Sequence, residues 1–295
     1  MATSLLTVDG DPDRVPTGVA PKYLNPLPRP IPMVITNVSR DFDTLSAVYD
    51  ETRQPLDPAT IHGLHEFLHE HQWNAVLEVG VGTGRVARPL LDLGVHVVGV
   101  DASRGMLGRA SAKHLPYLVR GNAYRLPFRP AAFDVCLFVH VLHILDRPDA
   151  GLEEAARVSR HGALAVLDLP PKGSSVDRPP EQEPRRIVRE LLTGAGYPDL
   201  LRSGPRAKEQ EILRTHPPVE VRVLSDREIT EPLSKGLNLI EKRAYRQLLR
   251  VPSDVLERAV AVARETLGDR TVTYQRVEAV AWWPPPTEPS SAREG

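Results

Sequence analysis

The sequence predicts an α/β fold: a doubly wound, mostly parallel sheet of seven strands with helices on both faces. Three observations predict it. Short, almost wholly apolar runs alternate with helix-length segments between residues 76 and 169, as expected of strands buried on both faces. The first run, Val76 to Val79, breaks into glycines at 80, 82 and 84, and glycine tolerates the positive φ of a tight turn. The second run closes on an acid, Asp101, where such sheets present a carboxylate to a ribose.

The elements follow in chain order. Residues 1–40 are expected to be a proline-rich arm, extended or disordered, because the prolines from Pro12 to Pro32 fix φ and remove backbone donors. Residues 41–72 are expected to form a helical cap. Within it Asp57-Pro58 reads as an N-cap with proline at the first helical position, and Ile61, Leu64, Phe67 and Leu68 form an apolar stripe. His62, His65 and His69 flank that stripe. His65 and His69 have the spacing of a metal pair, but with no third ligand nearby a solvated histidine face is the simpler reading, and no metal is expected.

Strands are expected at Val76–Val79, Val95–Val100, Tyr117–Val119, Phe133–Val139 and Ala163–Leu169, with helices at Arg85–Leu93, Ser103–Ala112 and Asp149–Ser159. Pro89 should kink the first of these helices, and Cys136 should pack in a buried strand. Further on, Arg185–Ala195 reads as helix and Val219–Leu224 as a sixth strand. Ser234–Arg250 and Ser253–Leu267 read as two helices joined at Val251-Pro252. Val272–Trp282 is the last strand, before a proline-rich tail at 285–295 expected to be disordered.

Glycine spacing selects the cofactor. Dinucleotide sites use G-x-G-x-x-G, and here Arg85 stands where that pattern wants glycine. Glu78, two residues before Gly80, would repel a pyrophosphate but suits an ammonium. S-adenosyl-L-methionine carries an ammonium and no phosphate, so E-x-G-x-G-x-G favours it over NAD. The P-loop pattern G-x-x-x-x-G-K-[ST] does not occur.

Composition narrows the partners. Formal net charge is −1, which supplies no electrostatic reason for nucleic acid or an acidic membrane as partner. The N-terminus does not read as a signal peptide, and no apolar run approaches membrane-spanning length. A single cysteine forbids an intrachain disulfide, so a cytoplasmic location is the expectation. Nothing in the sequence speaks to oligomeric state.

The signal extends well past the glycines. Gly121-Asn122-Ala123-Tyr124-Arg125-Leu126-Pro127-Phe128, the run Phe133 to His143 and the block Arg157 to Leu164 follow in order. In these blocks the chain resembles the class I S-adenosylmethionine-dependent methyltransferases, type 11 group. It departs from their pattern at Asn122, usually aspartate, and at Ser159, His161 and Ala163. The resemblance implies a Rossmann-like core over 73–231, a helical lid at 232–268 covering the substrate, and an antiparallel final strand within 269–284. It also implies roles for residues. Gly80, Gly82 and Gly84 would wrap the methionine moiety, Glu78 would meet its ammonium, and Asp101 would accept from both ribose hydroxyls. Met106 would pack on the adenine or simply in the core, and Asn122 would accept from the adenine amine. Val81, Ala102, Ala123 and Val139 complete the expected cofactor set. Asp41 to Arg53 resembles a segment that folds over the cofactor in relatives, which puts Tyr49 near the sulfonium and Arg53 near the carboxylate; an ordinary amphipathic helix is the alternative.

A methyl transfer needs a base only when the acceptor loses a proton. His140 and His143 end the fourth strand, at the carboxyl edge where ligands bind in open α/β sheets. Either is a candidate general base or a shaper of the pocket. The expected acceptor is a small organic molecule, methylated at oxygen, nitrogen or carbon. An RNA (tRNA) methyltransferase and a non-catalytic S-adenosylmethionine-binding protein are the rival readings.

Overall fold

In a computed structural model, residues 37–53, 56–171, 179–198, 200–201 and 205–286 are described. The apolar runs become strands β1 (Ala75–Val79), β2 (His96–Asp101), β3 (Leu118–Arg120), β4 (Val135–Val139) and β5 (Ala163–Leu169), joined by β6 (Glu220–Pro232) and β7 (Thr271–Trp283). Seven strands form one sheet in the order β3-β2-β1-β4-β5-β7-β6. Strands β1 to β5 pair in parallel, and β7 pairs antiparallel with both β5 and β6. The chain therefore fans outward from the β1/β4 junction, and such reversals open a crevice at the carboxyl edge.

Ten α-helices are described: α1 (Asn37–Leu45), α2 (Tyr49–Thr52), α3 (Pro58–Glu70), α4 (Ala87–Asp92), α5 (Arg104–Ala112), α6 (Pro148–Val158), α7 (Glu183–Gly194), α8 (Pro205–Thr215), α9 (Ser234–Glu241) and α10 (Ser253–Leu267). Strand alternation divides the interior into two layers. On one face Val76, Val97 and Leu164 pack with Leu64 and Phe67 of α3 and Leu90 of α4. On the other, Leu77, Val98 and Ala165 pack with Val158 of α6 and Ile212 of α8. Caps set where helices begin: Asp57 accepts from the Ala59 N–H at 2.8 Å, and Ser103 accepts from the Met106 N–H at 3.1 Å. Cys136 is wholly buried, and burial raises its thiol.

A third apolar cluster joins α7, α9 and α10 through Val188, Leu192, Leu237, Ile240, Val260 and Ala263. Its position follows from the β6/β7 ribbon. Both strands run 13 residues against seven in β5, and the pairing ends at Pro232↔Thr271, past the Leu169↔Val277 pair that closes β5. The ribbon thus carries the α9–α10 insertion beyond the carboxyl edge.

Several local expectations need correction. Pro89 does not kink a helix over 85–93: α4 starts at Ala87, so Pro89 falls in its first turn, where an N–H has no partner within the helix. Ser234–Arg250 is not one helix. It breaks after α9 at Arg243, with φ of 52°, and resumes as a 3₁₀ turn at Arg246–Arg250. Residues 37–40 of the expected arm belong to α1, because the last proline before them is Pro32. Strand β6 continues to Pro232, well past Leu224, because β7 pairs with it throughout. The helical layer also takes in α7, outside the 232–268 insertion. The rest of the arm (1–36) and the tail from 287 lie outside the described residues. Among the described residues, no helix is long and apolar enough to cross a membrane.

Candidate active site

The turn after β1 is held by its neighbour strand. The N–H groups of Gly80 and Val81 both donate to the Val100 carbonyl, at 2.7 and 3.0 Å. All three glycines have positive φ, +74°, +56° and +78°, yet they serve different ends. A Cβ on Gly80 would meet Val141 Cγ2 at 2.7 Å, and one on Gly84 would run into Leu115, so both make room for packing. A Cβ on Gly82 would meet nothing nearer than the Gly80 carbonyl at 3.9 Å. Gly82 faces open space, and that space is a cleft.

Asp101 ends β2 beside it. Its Oδ2 accepts from the Gly82 N–H and its Oδ1 from the Ser103 N–H, both at 2.8 Å. Burial raises the Asp101 carboxyl, with Asp43 adding to the effect against those bonds. A carboxylate has about four acceptor sites, so the carboxylate form keeps capacity for two hydroxyl donors. The cleft encloses about 1060 Å³ with its mouth. Of the residues expected at the cofactor, Tyr49, Gly80, Gly82, Asp101, Ala102, Met106, Asn122, Ala123 and Val139 line it, and so does His140. Asn122 Oδ1 already accepts from the Tyr124 N–H at 2.9 Å, keeping a second lone pair.

Five expected residues stand elsewhere. Val81 is buried in the core, Gly84 packs on Leu115, and Glu78 lies behind the turn, 3% exposed. Burial, helped by Asp101, pushes the Glu78 carboxyl up to about 8 despite Arg85, and its Oε2 lacks a hydrogen-bond partner. Arg53 leaves the cleft for the helical layer, donating to the Ala244 carbonyl at 3.0 Å. His143 turns to α8. Conversely, Ser39 and Phe42 of α1 and Ile144, Leu145 and Asp146 after β4 line the cleft without having been singled out. Helix α1 is docked by Asp43, whose Oδ1 accepts from Ser103 Oγ at 2.6 Å and the Gly105 N–H at 2.9 Å. Phe42 at least lies inside the Asp41–Arg53 segment that pointed here.

At the far wall His140 adopts φ of 52°, a left-handed conformation that side chains rarely take outside constrained sites. A polar cluster surrounds it. Its Nδ1 is 3.8 Å from Glu209 Oε1 and its Nε2 is 3.9 Å from Glu278 Oε1, contacts too long for hydrogen bonds, and Nε2 is buried with no hydrogen-bond partner. Glu209, on α8 and fully buried, accepts from His143 Nδ1 at 2.9 Å and the Asp168 N–H at 3.2 Å. Burial opposes its ionisation, but the two histidines outweigh burial and hold its carboxyl at about 2. Burial likewise disfavours the His140 imidazolium, and Glu209 and Asp168 outweigh that to raise it above its ordinary value. Glu278 accepts from Thr60 Oγ1 at 2.7 Å, while Arg276 reaches Asp168 at 3.2 Å and Glu278 at 3.1 Å. His140, Asp168 and Glu278 bring ligand-type atoms within 4.8 Å of one another, but Arg276 already supplies the cation for both carboxylates. Glu209, Arg276 and Glu278 had no motif to announce them.

Residues 77–167 match the methyltransferase domain family. Over that span the chain is similar to the S-adenosylmethionine-dependent methyltransferases of the type 11 group. A demethylmenaquinone methyltransferase of Beutenbergia cavernae is 33% identical over 137 residues, 44% of this chain and 57% of that protein. A ubiquinone/menaquinone biosynthesis C-methyltransferase of Rhizobium leguminosarum bv. trifolii is 37% identical over 115 residues, 35% of this chain and 43% of that one. The chain thus spans about half the length of these curated relatives. Among solved structures, a Haemonchus contortus N-methyltransferase bound to S-adenosylhomocysteine covers 87% of this chain and 62% of its own, at 17% identity and a TM-score of 0.46.

The residues of the methyltransferase domain fit its cofactor. Gly82 leaves room that any side chain would fill, and Asp101 offers acceptors for a diol. The orphaned Oε2 of Glu78 suits an ammonium reached directly or through water.

Proposed function

We propose that the protein transfers a methyl group from S-adenosylmethionine to an oxygen, nitrogen or carbon of a small organic acceptor in the cytoplasm. The observation that carries this reading is the continuity of one cleft from Asp101, past Gly82, to the strained His140. When bound, the cofactor supplies an electrophilic methyl on a sulfonium. Asp101 receives the ribose hydroxyls, Met106 packs on the adenine, and Asn122 accepts at its edge. Gly80 and Gly82 admit the methionine moiety, Glu78 meets its ammonium, and Tyr49 offers a ring face toward the sulfonium. Ala102, Ala123 and Val139 fill the walls.

Much of the rate would come from alignment and exclusion of water, which α1 supplies by lying over the cleft. The helices at 232–268 would act as the lid on the acceptor side. Where the acceptor loses a proton, His140 takes it at its imidazole once deprotonated, and Glu209 stabilises the imidazolium that results. The two relatives are named for quinones or their biosynthesis, which supports a small organic acceptor over RNA. The test is methyl transfer from radiolabelled S-adenosylmethionine to a panel of phenols, quinols, carboxylates and amines, with bulk tRNA as a parallel arm. Label in a small-molecule product supports the reading; label in tRNA alone contradicts it.

A further inference from the structure

Arginines form a row from the cleft wall into the helical layer. Arg276 sits on Asp168 and Glu278 beside His140. Arg85 follows the glycine turn, and burial together with the like charges of Arg53 and Arg276 lowers its guanidinium below the ordinary value. Arg53 lies over two tyrosine rings, its Cζ 5.5 Å from the ring centre of Tyr49 and 5.6 Å from that of Tyr245. Arg185 packs on Tyr245 at 4.9 Å, and burial, with Arg189 and Arg53 nearby, lowers it too.

Arg53 decides what the row is for. Its hydrogen bonds go only to the carbonyls of Ala244, at 3.0 Å, and Thr52, at 3.5 Å, and among the described residues no carboxylate pairs with it. Two aromatic rings flank the guanidinium, and two hydrogen bonds leave further N–H donors of its five for a ligand. With no carboxylate beside Arg53 among the described residues, an anion would supply the missing counter-charge. Tyr49 connects this place to the chemistry, since its ring also lines the cofactor cleft.

We propose that the acceptor carries an oxyanion group, a carboxylate or a phosphate, held by Arg53 and Arg185 where α2 meets the helical layer. The rest of the acceptor then extends past Tyr49 toward His140. This assignment rests on the methyltransferase reading and goes beyond the neutral quinone-type substrates for which the curated relatives are named.

The test titrates the full chain, saturated with S-adenosylhomocysteine, with benzoate, phenyl phosphate and benzamide. At least one anion should bind about tenfold or more tightly than neutral benzamide, the scale of a charge-assisted bond. The better of the two anions tells carboxylate from phosphate. That preference should vanish in Arg53→Gln and Arg185→Gln, while the affinity of Arg185→Gln for S-adenosylhomocysteine stays within about twofold of the unaltered chain, which shows that the variant is folded. Equal binding of benzamide overturns the proposal. So does competition between S-adenosylhomocysteine and the anions, which would give the arginines to the cofactor's own carboxylate. If the unaltered chain does not bind S-adenosylhomocysteine at all, the methyltransferase reading itself fails, a separate and recognisable result.

Discussion

The two halves of the cleft are built by different means. At the glycine turn, backbone does most of the work: the turn after β1 and the end of β2 present Gly82 and Asp101 through backbone N–H groups that donate to Asp101 across 19 and 2 positions. Around His140, side chains from α3, α8, β5 and β7 converge, and their partners lie far apart along the chain. Thr60 and Glu278 meet across 218 positions, and His143 and Glu209 across 66. A backbone device tolerates little change and reads as a motif; a converging cluster can be rebuilt from many residue types and reads as nothing until folded.

That contrast predicts a gradient of effects. Gly82→Val should do the most damage to the cofactor half. It combines positive φ with a side chain in the cleft, and calorimetry should show affinity for S-adenosylhomocysteine falling by about a hundredfold or more. Because a Cβ there meets nothing nearer than the Gly80 carbonyl at 3.9 Å, circular dichroism should still show the fold. Next, His140→Gln should lower kcat by roughly a hundredfold for an acceptor that loses a proton, and leave cofactor affinity unchanged. With His140 raised, the rate for such an acceptor should climb with pH only above the ordinary histidine range, in a pH–rate profile. Asp101→Ala should weaken S-adenosylhomocysteine by about tenfold to a hundredfold, the value of lost bonds to a charged group.

Glu209→Gln separates the halves more finely. Removing that charge should shift the alkaline-rising limb of the profile to lower pH, as seen by titrating the His140 ring by NMR. Stability carries its own sign. The Glu209 carboxyl is depressed when folded, so its contribution is present above the ordinary carboxylate value and is lost as pH falls from there toward about 2. The melting temperature of the unaltered chain should fall across that window more steeply than that of Glu209→Gln. The smallest effect belongs to Pro89→Ala, which should change stability by about 1 kcal/mol or less in urea unfolding, since Pro89 occupies a first turn.

The same division explains what could be read before the fold was known. Strands β1, β2, β4 and β5 announce themselves by apolar runs, and Gly80, Gly82 and Asp101, legible as a motif, line one cleft. The resemblance of the Asp41–Arg53 segment puts Arg53 near the cofactor's carboxylate, with an ordinary amphipathic helix as the alternative; one helical turn beyond Tyr49, its side chain donates to the Ala244 carbonyl. Periodicity also carried a helix through Ser234–Arg250, where only the tertiary fold forces Arg243 into a left-handed turn. Glu209 sits on a helix with an ordinary charged pattern, and burial alone makes it exceptional.

Hydrogen exchange on the full chain, with and without S-adenosylhomocysteine, tests the central claim most directly. The amides of residues 80–84, 101–106 and 121–124 should become protected, while those of α10 should exchange unchanged. Protection confined to the helical layer, or none at all under saturating ligand, would contradict the placement of the cofactor at the glycine turn.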